Sequence, residues 1–209
     1  MNIILMGCPG AGKGTQSAKL KDFFELKHIS TGDVLRAEIA SGSALGKEVK
    51  DLIAQGNLVP DGLMISILEN IIKTADNGVI LDGFPRTTAQ AEALKGMLAA
   101  LGKEISKVIM IDLPEEEVVK RLSSRRLCRE CGKIAQSVTE SVCGACGGEL
   151  YTRADDTPQS VKHRLEVYRR DTLPVINYYE NSGKFVKING NQPVEKVFED
   201  IKKSLEEVK

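Results

Sequence analysis

The chain has 209 residues, 42% of them hydrophobic, with 29 basic and 29 acidic side chains that cancel. That length fits one globular domain with inserts or two small ones, and a net charge of zero argues against bulk attraction to nucleic acid or to a membrane surface. Aromatic residues make up only 4% and Trp is absent, so a base-stacking platform for single-stranded nucleic acid is not expected.

The first element is an apolar run, Ile3 to Met6, that reads as a short buried strand at about 2–6. Its N-terminus carries no basic region, and no apolar run reaches the ~20 residues of a membrane span, so the cytosol is the expected compartment. Behind the strand lies Gly7-Cys8-Pro9-Gly10-Ala11-Gly12-Lys13-Gly14-Thr15, then a helical pattern over 13–25. Strand, glycine-rich loop, lysine and helix form the context of a phosphate-binding loop. Glycines let backbone N–H groups face a polyphosphate, and the helix N-terminus adds partial positive charge. Lys13 supplies a full charge, and Thr15 places a hydroxyl for phosphate or Mg²⁺. The general pattern puts the hydroxyl directly after the lysine, whereas Gly14 intervenes here. Cys8 reads as a small filler in the loop, although a helix N-terminus lowers a thiol pKa.

Lys27-His28-Ile29-Ser30 is a candidate short strand, followed by helical patterns over 31–40, 45–55 and 61–74. Thr31 reads either as a helix cap or as a functional hydroxyl. The strand at 79–82 ends in Asp82, an acid at a strand's carboxyl end. In a phosphate-loop protein such an acid holds Mg²⁺ directly or through water, and its alternative role is to cap the helix over 87–100. Gly83, Phe84 and Pro85 then form a tight exit toward Arg86. A strand at 107–112, helices over 115–123 and 158–180, a strand at 184–188 and a helix over 194–207 complete the pattern. Such alternation predicts an α/β fold, a parallel sheet with helices on both faces.

From Leu127 to Thr152 the helical periodicity is lost among cysteines, glycines and small polar residues. Cys128-x-x-Cys131 and Cys143-x-x-Cys146 have the spacing of two metal knuckles, which together complete a closed, structural four-thiolate zinc site. Disulfides are disfavoured in a cytosolic chain, and a module this small needs such a staple. Arg36, Arg86, Arg121, Arg125, Arg153 and Arg164 come from distant segments but sit at motif boundaries. Arginine binds phosphate bidentately and stays charged. His28 and His163 read as packing or solvated helix-face residues.

The loop 7–15, Ser30-Thr31-Gly32-Asp33 with Arg36, Leu81-Asp82-Gly83-Phe84-Pro85-Arg86-Thr87 with Gln90, Arg125-Arg126, Arg153-Ala154-Asp155-Asp156, Arg164 and Gly190-Asn191-Gln192-Pro193 span the chain in order. Together they resemble the adenylate kinases, in the long form with a zinc-binding lid; Lys13-Gly14-Thr15 is that family's own form of the loop. The resemblance implies a P-loop NTPase-type core (1–29, 60–124 and 160–209), a helical AMP-binding insert (30–59) and a lid with the zinc site (125–159). It implies reversible transfer of the γ-phosphoryl of MgATP to AMP, giving two ADP. Catalytic roles fall on Lys13, Arg86, Arg125, Arg153 and Arg164. ATP would meet Gly10, Ala11, Gly12, Lys13, Gly14, Thr15, Arg121, Arg125, Ile134, Ala135 and Gln192. AMP would meet Thr31, Arg36, Asn57, Leu58, Val59, Gly83, Phe84, Pro85, Arg86, Gln90, Arg153 and Arg164. Mg²⁺ would be served by Thr15 and Asp82, and one structural Zn²⁺ by Cys128, Cys131, Cys143 and Cys146.

Asp155 and Asp156 are expected to pair with lid arginines. Only 11 residues separate Cys131 from Cys143, fewer than is usual in long lids, and Ile134-Ala135 replaces an aromatic or histidine pair. A monomer is expected. The rival readings are a GTP:AMP phosphotransferase or UMP/CMP kinase, a zinc-ribbon nucleic-acid module with a regulatory nucleotide site, and a plain phosphate-loop ATPase.

Overall fold

The computed structural model describes residues 1–135 and 139–206; residues 136–138 of the cysteine-rich segment and the end of the last expected helix lie outside them. Five parallel strands form the central sheet in the order β2 (Lys27–Ser30), β3 (Val79–Asp82), β1 (Asn2–Met6), β4 (Lys107–Asp112), β7 (Phe185–Asn189). The chain first builds outward from β1 to β2 and β3, then adds β4 and β7 on the other side. The loop after β1 therefore opens where the strand order reverses, the crevice in which open α/β sheets bind ligands.

All five residues of β1 are buried, so after Asn2 its sequence is a continuous apolar run, Ile3 to Met6, rather than an alternation. The period of two still assigns the faces. Ile4 and Met6 join one core with α4 (Asp61–Lys73), α5 (Thr88–Ala100) and α8 (Leu173–Glu180). Ile3 and Leu5 join the other with α1 (Lys13–Phe24), α6 (Glu115–Ser123), α7 (Pro158–Val167) and α9 (Val194–Glu206). Both faces of the sheet are thus covered by helices, as the alternation predicts.

Helices α2 (Thr31–Ser41) and α3 (Ala44–Gln55) stand between β2 and α4 and pack on each other. Ser30, not Thr31, caps α2: its hydroxyl accepts from Asp33 N at 3.3 Å. Thr87 caps α5 in the same way, accepting from Gln90 N at 3.1 Å. The capping alternatives for Thr31 and Asp82 are thereby removed. The expected helix over 158–180 is broken into α7, a π-turn at Tyr168–Thr172 and α8. Pro174 has no N–H to continue the α ladder, and Leu173 N instead reaches back to Tyr168 O.

The cysteine-rich segment opens on β5 (Leu127–Cys128) and returns on β6 (Leu150–Tyr151), an antiparallel pair apart from the main sheet. A 3₁₀ turn at Ala154–Asp156 leads into α7. No helix among the described residues is long and apolar enough to cross a membrane.

Candidate active site

The glycine-rich loop follows β1, and α1 begins at Lys13. Gly12 takes the cap position in the left-handed region, at φ 95°, where a side chain would be strained. Lys13 Nζ donates to the carbonyls of Gly7 at 2.8 Å and Cys8 at 3.0 Å, which holds the ammonium at the loop. Burial lowers its pKa, opposed by Asp82 and reinforced by Arg86. Beside the loop, a Cβ built on Gly14 would stand 3.8 Å from Asp82 Oδ2, so the carboxylate at the end of β3 faces the residue before Thr15. A hydroxyl and a carboxylate at a phosphate loop are hard oxygen donors, the chemistry that suits Mg²⁺.

Cys8 is buried, and burial pushes its thiol above the usual range despite Lys13. The helix-dipole argument for a reactive Cys8 therefore fails here. His28 lies in β2, the strand expected at 27–30, with Nε2 3.4 Å from Asp82 Oδ2.

Two adjoining clefts lie beside one another here, and the second opens on this loop. The first, about 620 Å³, is lined by Thr31, Arg36, Asn57, Leu58, Val59, Gly83, Phe84, Arg86, Gln90 and Arg164 among others. The second, about 550 Å³, reaches Gly7, Pro9 and Lys13 and takes in Pro85. Gly56, Leu58, Gly83, Arg86 and Arg164 line both, which makes one continuous path from the α2–α3 insert to the phosphate loop. The tight turn after β3 organises this junction. Gly83 O accepts from Thr31 Oγ1 at 3.0 Å and from Arg86 Nε at 2.7 Å.

The junction is crowded with cations. Burial lowers the Arg86 pKa, and the charge of Arg164 lowers it further. Burial likewise lowers Arg164, with Asp155 opposing. Such a cluster is repulsive alone and becomes favourable around phosphate. Asp156, with a fully buried side chain, receives Arg125 Nε at 2.8 Å, Arg125 NH2 at 2.5 Å and Arg164 NH1 at 3.2 Å. Asp155 Oδ2 is 3.2 Å from Arg164 NH1, so Asp156 pairs with Arg125 of the expected lid, whereas the partner of Asp155 lies beyond it. Arg36 pairs with Asp33, and Arg153 NH2 reaches the same carboxylate at 3.5 Å. Burial raises the Asp33 pKa, but Arg36, Ser30 and Arg153 outweigh it and hold the carboxyl below its usual range. Arg153 Nε is buried without a hydrogen-bond partner among the described residues, an orphan donor that a phosphate oxygen would satisfy.

Other expected contacts lie outside the two clefts. Arg121 NH2 donates to Gly190 O at 3.1 Å, and Gln192 Nε2 donates to Asn189 O at 2.8 Å, both at the carboxyl ends of β4 and β7. Ile134 bridges to Leu127 and is exposed, while Ala135 packs on the Cys128, Cys143 and Leu150 cluster. Sequence reasoning missed the apolar wall of the first cleft, Leu35, Ile53 and Met64, which reads there as ordinary helical core. It also missed Asp61, which binds Gln90, and the role of His163, whose Nε2 lies 2.8 Å from Asn57 Oδ1.

The four cysteine sulfurs lie within 4.8 Å of one another, with 3.4 Å between Cys128 and Cys146 and 3.6 Å between Cys131 and Cys143. A tetrahedral thiolate site with ordinary metal–sulfur bonds has edges of roughly 3.8 Å, so this arrangement can hold one metal ion. Each knuckle closes identically, through Gly132 N to Cys128 O at 3.0 Å and Gly147 N to Cys143 O at 2.8 Å. Gly148 must lack a side chain, because a Cβ there would fall 2.8 Å from Cys128 Sγ.

A sequence profile described as adenylate kinase matches residues 5–184. The chain belongs to the adenylate kinase family. The adenylate kinase of Kosmotoga olearia is 51% identical, with 99% of each chain covered. That of Oceanobacillus iheyensis is 46% identical, again over 99% of each, and that of Archaeoglobus fulgidus 45% identical over 100% of both. The segment Leu81 to Thr87, on which the resemblance partly rests, contains the turn that joins the two clefts.

Proposed function

We infer that this chain catalyses reversible transfer of the γ-phosphoryl of MgATP to AMP, giving two ADP. One observation carries the reading: the cleft that gathers Thr31, Arg36, the 57–59 segment and Gln90 runs through Arg86 and Arg164 into the cleft of the phosphate loop. Family membership along nearly the whole chain supports it.

In this reading AMP occupies the first cleft. Its base lies by Thr31, Asn57, Leu58, Val59 and Gln90, and its phosphate lies on Arg36 and Arg86, beside the Gly83–Phe84–Pro85 turn. The ATP phosphates lie on the loop from Gly10 to Thr15 under Lys13, with the adenosine toward Arg121, Gln192, Ile134 and Ala135. An AMP phosphate oxygen attacks the γ-phosphorus, and the bond from that phosphorus to the ADP oxygen breaks. The attacking oxygen is already anionic, so no general base is needed; positioning and charge stabilisation supply the rate. Arg125, Arg153 and Arg164 meet the charge on the transferring group. Mg²⁺, held by Thr15 and through water by Asp82, would neutralise charge on the ATP phosphates.

Residues 1–29, 60–124 and 160–209 act as the core, 30–59 as the AMP insert and 125–159 as the lid, whose closure excludes water. The contact of Arg153 with Asp33 joins lid to insert and favours this division. A monomer acting in the cytosol on free nucleotides, with no nucleic-acid or membrane partner, fits the balanced charge. Offering each nucleoside monophosphate with MgATP and measuring ADP tests the reading. AMP should be the best acceptor, and faster turnover with UMP or CMP would replace it with a pyrimidine nucleotide kinase.

The metal of the four cysteines is proposed to be one Zn²⁺, serving stability. Cys128→Ser with Cys143→Ser should abolish metal content and lower the unfolding midpoint. Each kcal/mol lost moves the midpoint of a chain this size by roughly 2–4 °C. Transfer at moderate temperature should survive, since the flanking arginines remain. Metal analysis, thermal denaturation and a coupled assay check this together; loss of all activity in a folded variant would contradict a purely structural ion.

A further inference from the structure

We propose that Asp61 sets the acceptor-base preference by fixing which way the Gln90 amide faces. This rests on the reading of Gln90 as a group that meets the acceptor base.

Gln90 is only 2% exposed and lines the first cleft. Its Oε1 accepts from the backbone N–H of Arg86 at 2.7 Å, and its Nε2 donates to Asp61 Oδ1 at 2.7 Å. The second carboxylate oxygen, Oδ2, accepts from Thr87 Oγ1 at 2.9 Å, and Thr87 in turn accepts from Gln90 N at 3.1 Å. Asp61 is thus held by one neighbour while it holds the other.

A primary amide can be turned end for end with little change in shape. Here both ends are read by groups of fixed character. An ionised carboxylate only accepts, and a backbone N–H only donates. Turning the amide would set Oε1 against a carboxylate oxygen and Nε2–H against another N–H. Two like-polarity contacts at these part-buried positions are costly, because both hydrogen bonds are lost and little water can replace them.

The orientation has a consequence for the ligand. An amide nitrogen carries two hydrogens and an amide oxygen two lone pairs. With one of each used inside the protein, Gln90 retains one donor and one acceptor for the base. Adenine offers the complement, an acceptor at N1 and a donor on the 6-amino group. Hypoxanthine exchanges both, with N1–H and a 6-oxo oxygen, and guanine does the same. A site that makes buried polar contacts rejects a ligand that leaves them mismatched far more strongly than an apolar wall rejects a change of size. Asp61 touches neither base nor phosphate in this account; it is a positioning residue.

IMP is the cleanest probe, since it keeps the purine, ribose and phosphate of AMP. In Asp61→Ala the AMP-over-IMP ratio of kcat/KM should fall at least ~10-fold. The loss should appear in KM for AMP, with kcat and KM for MgATP nearly unchanged. Asp61→Asn keeps an acceptor oxygen for Gln90 Nε2 and an amide for Thr87, so it should retain most of the ratio. Both variants lose the negative charge at the start of α4, so a merely structural role would move both alike. Asp61→Val supplies a second apolar variant should the alanine form be unstable. A ratio unchanged in folded Asp61→Ala or Asp61→Val overturns the proposal, and so does equal loss in Asp61→Asn. Gln90→Leu separates this from the underlying reading. If Gln90→Leu leaves the ratio intact, Gln90 does not read the base; if it collapses the ratio while Asp61→Ala does not, only the role of Asp61 falls.

Discussion

Lys13→Ala is expected to lower kcat/KM by ~100-fold or more, about 2.7 kcal/mol of transition-state stabilisation. The ammonium is the cation attached to the phosphate loop itself, held by two loop carbonyls at 2.8 and 3.0 Å. Charge moves onto the bridging and γ oxygens as the phosphorus–oxygen bond breaks, so a fixed cation there gains most in the transition state. Stability should change little. When no phosphate is bound, burial and the repulsion of Arg86 and Arg164 weigh against the attraction of the ammonium to Asp82. Steady-state kinetics in both directions with a thermal melt checks both halves. A rate near that of the parent would remove Lys13 from the donor site and with it the assignment of the loop.

Most of the fold was legible because its strands are short, apolar and bounded. β1, β3 and β4 carry continuous apolar runs, since both faces of the sheet are covered. β2 is legible mainly by elimination: only Ile29 of its four residues is buried, so the pattern alone is thin. The π-turn at Tyr168–Thr172 was not legible. The periodicity of 158–180 continues through it, and only Pro174 hints that the ladder must slip. Caps were half legible: Ser30 and Thr31 are neighbours with the same hydroxyl chemistry, and only the backbone angles of Ser30 select it.

The candidate site divides along the same line. Residues in contiguous motifs could be named, because a glycine-rich loop or a strand ending in an acid states its chemistry within a few positions. Their partners could not. Asp61 lies 29 residues from Gln90, and Asn57 lies 106 from His163. As sequence, Asp61 is an ordinary acid in the first turn of a helix, where the dipole alone accounts for it. His163 precedes Arg164 on α7 and carries no pattern of its own. Cys8, which reads as a small filler, also has a pKa shift whose direction was not legible, for a related reason. A helix N-terminus is visible in sequence, whereas burial beneath the 113 carbonyl is a property of the folded loop.

Asp156→Ala should be among the most damaging single changes to stability, costing about 3–5 kcal/mol. Its carboxylate is fully buried and receives three hydrogen bonds from two arginines. Removing it leaves the largely buried Arg125 guanidinium without its bidentate acceptor and deprives Arg164 of one of its two acids. Breaking one side of a buried pair costs more than the pair contributes, because the remaining charge stays desolvated. For a chain this size the midpoint should fall by roughly 6–20 °C, at about 2–4 °C for each kcal/mol. The position adds a functional consequence. Arg125 precedes the cysteine module and Asp156 follows it, so the pair ties the two ends of that segment independently of the metal. Bound metal per chain should therefore stay at the parent value while kcat/KM falls, because Arg125 and Arg164 lose the group that aims them. Asp156→Asn, which keeps one acceptor oxygen and the shape, should be intermediate in both stability and rate. A melt unchanged in Asp156→Ala would mean that water replaces the carboxylate around Arg125, and the segment would then depend on its four thiolates alone.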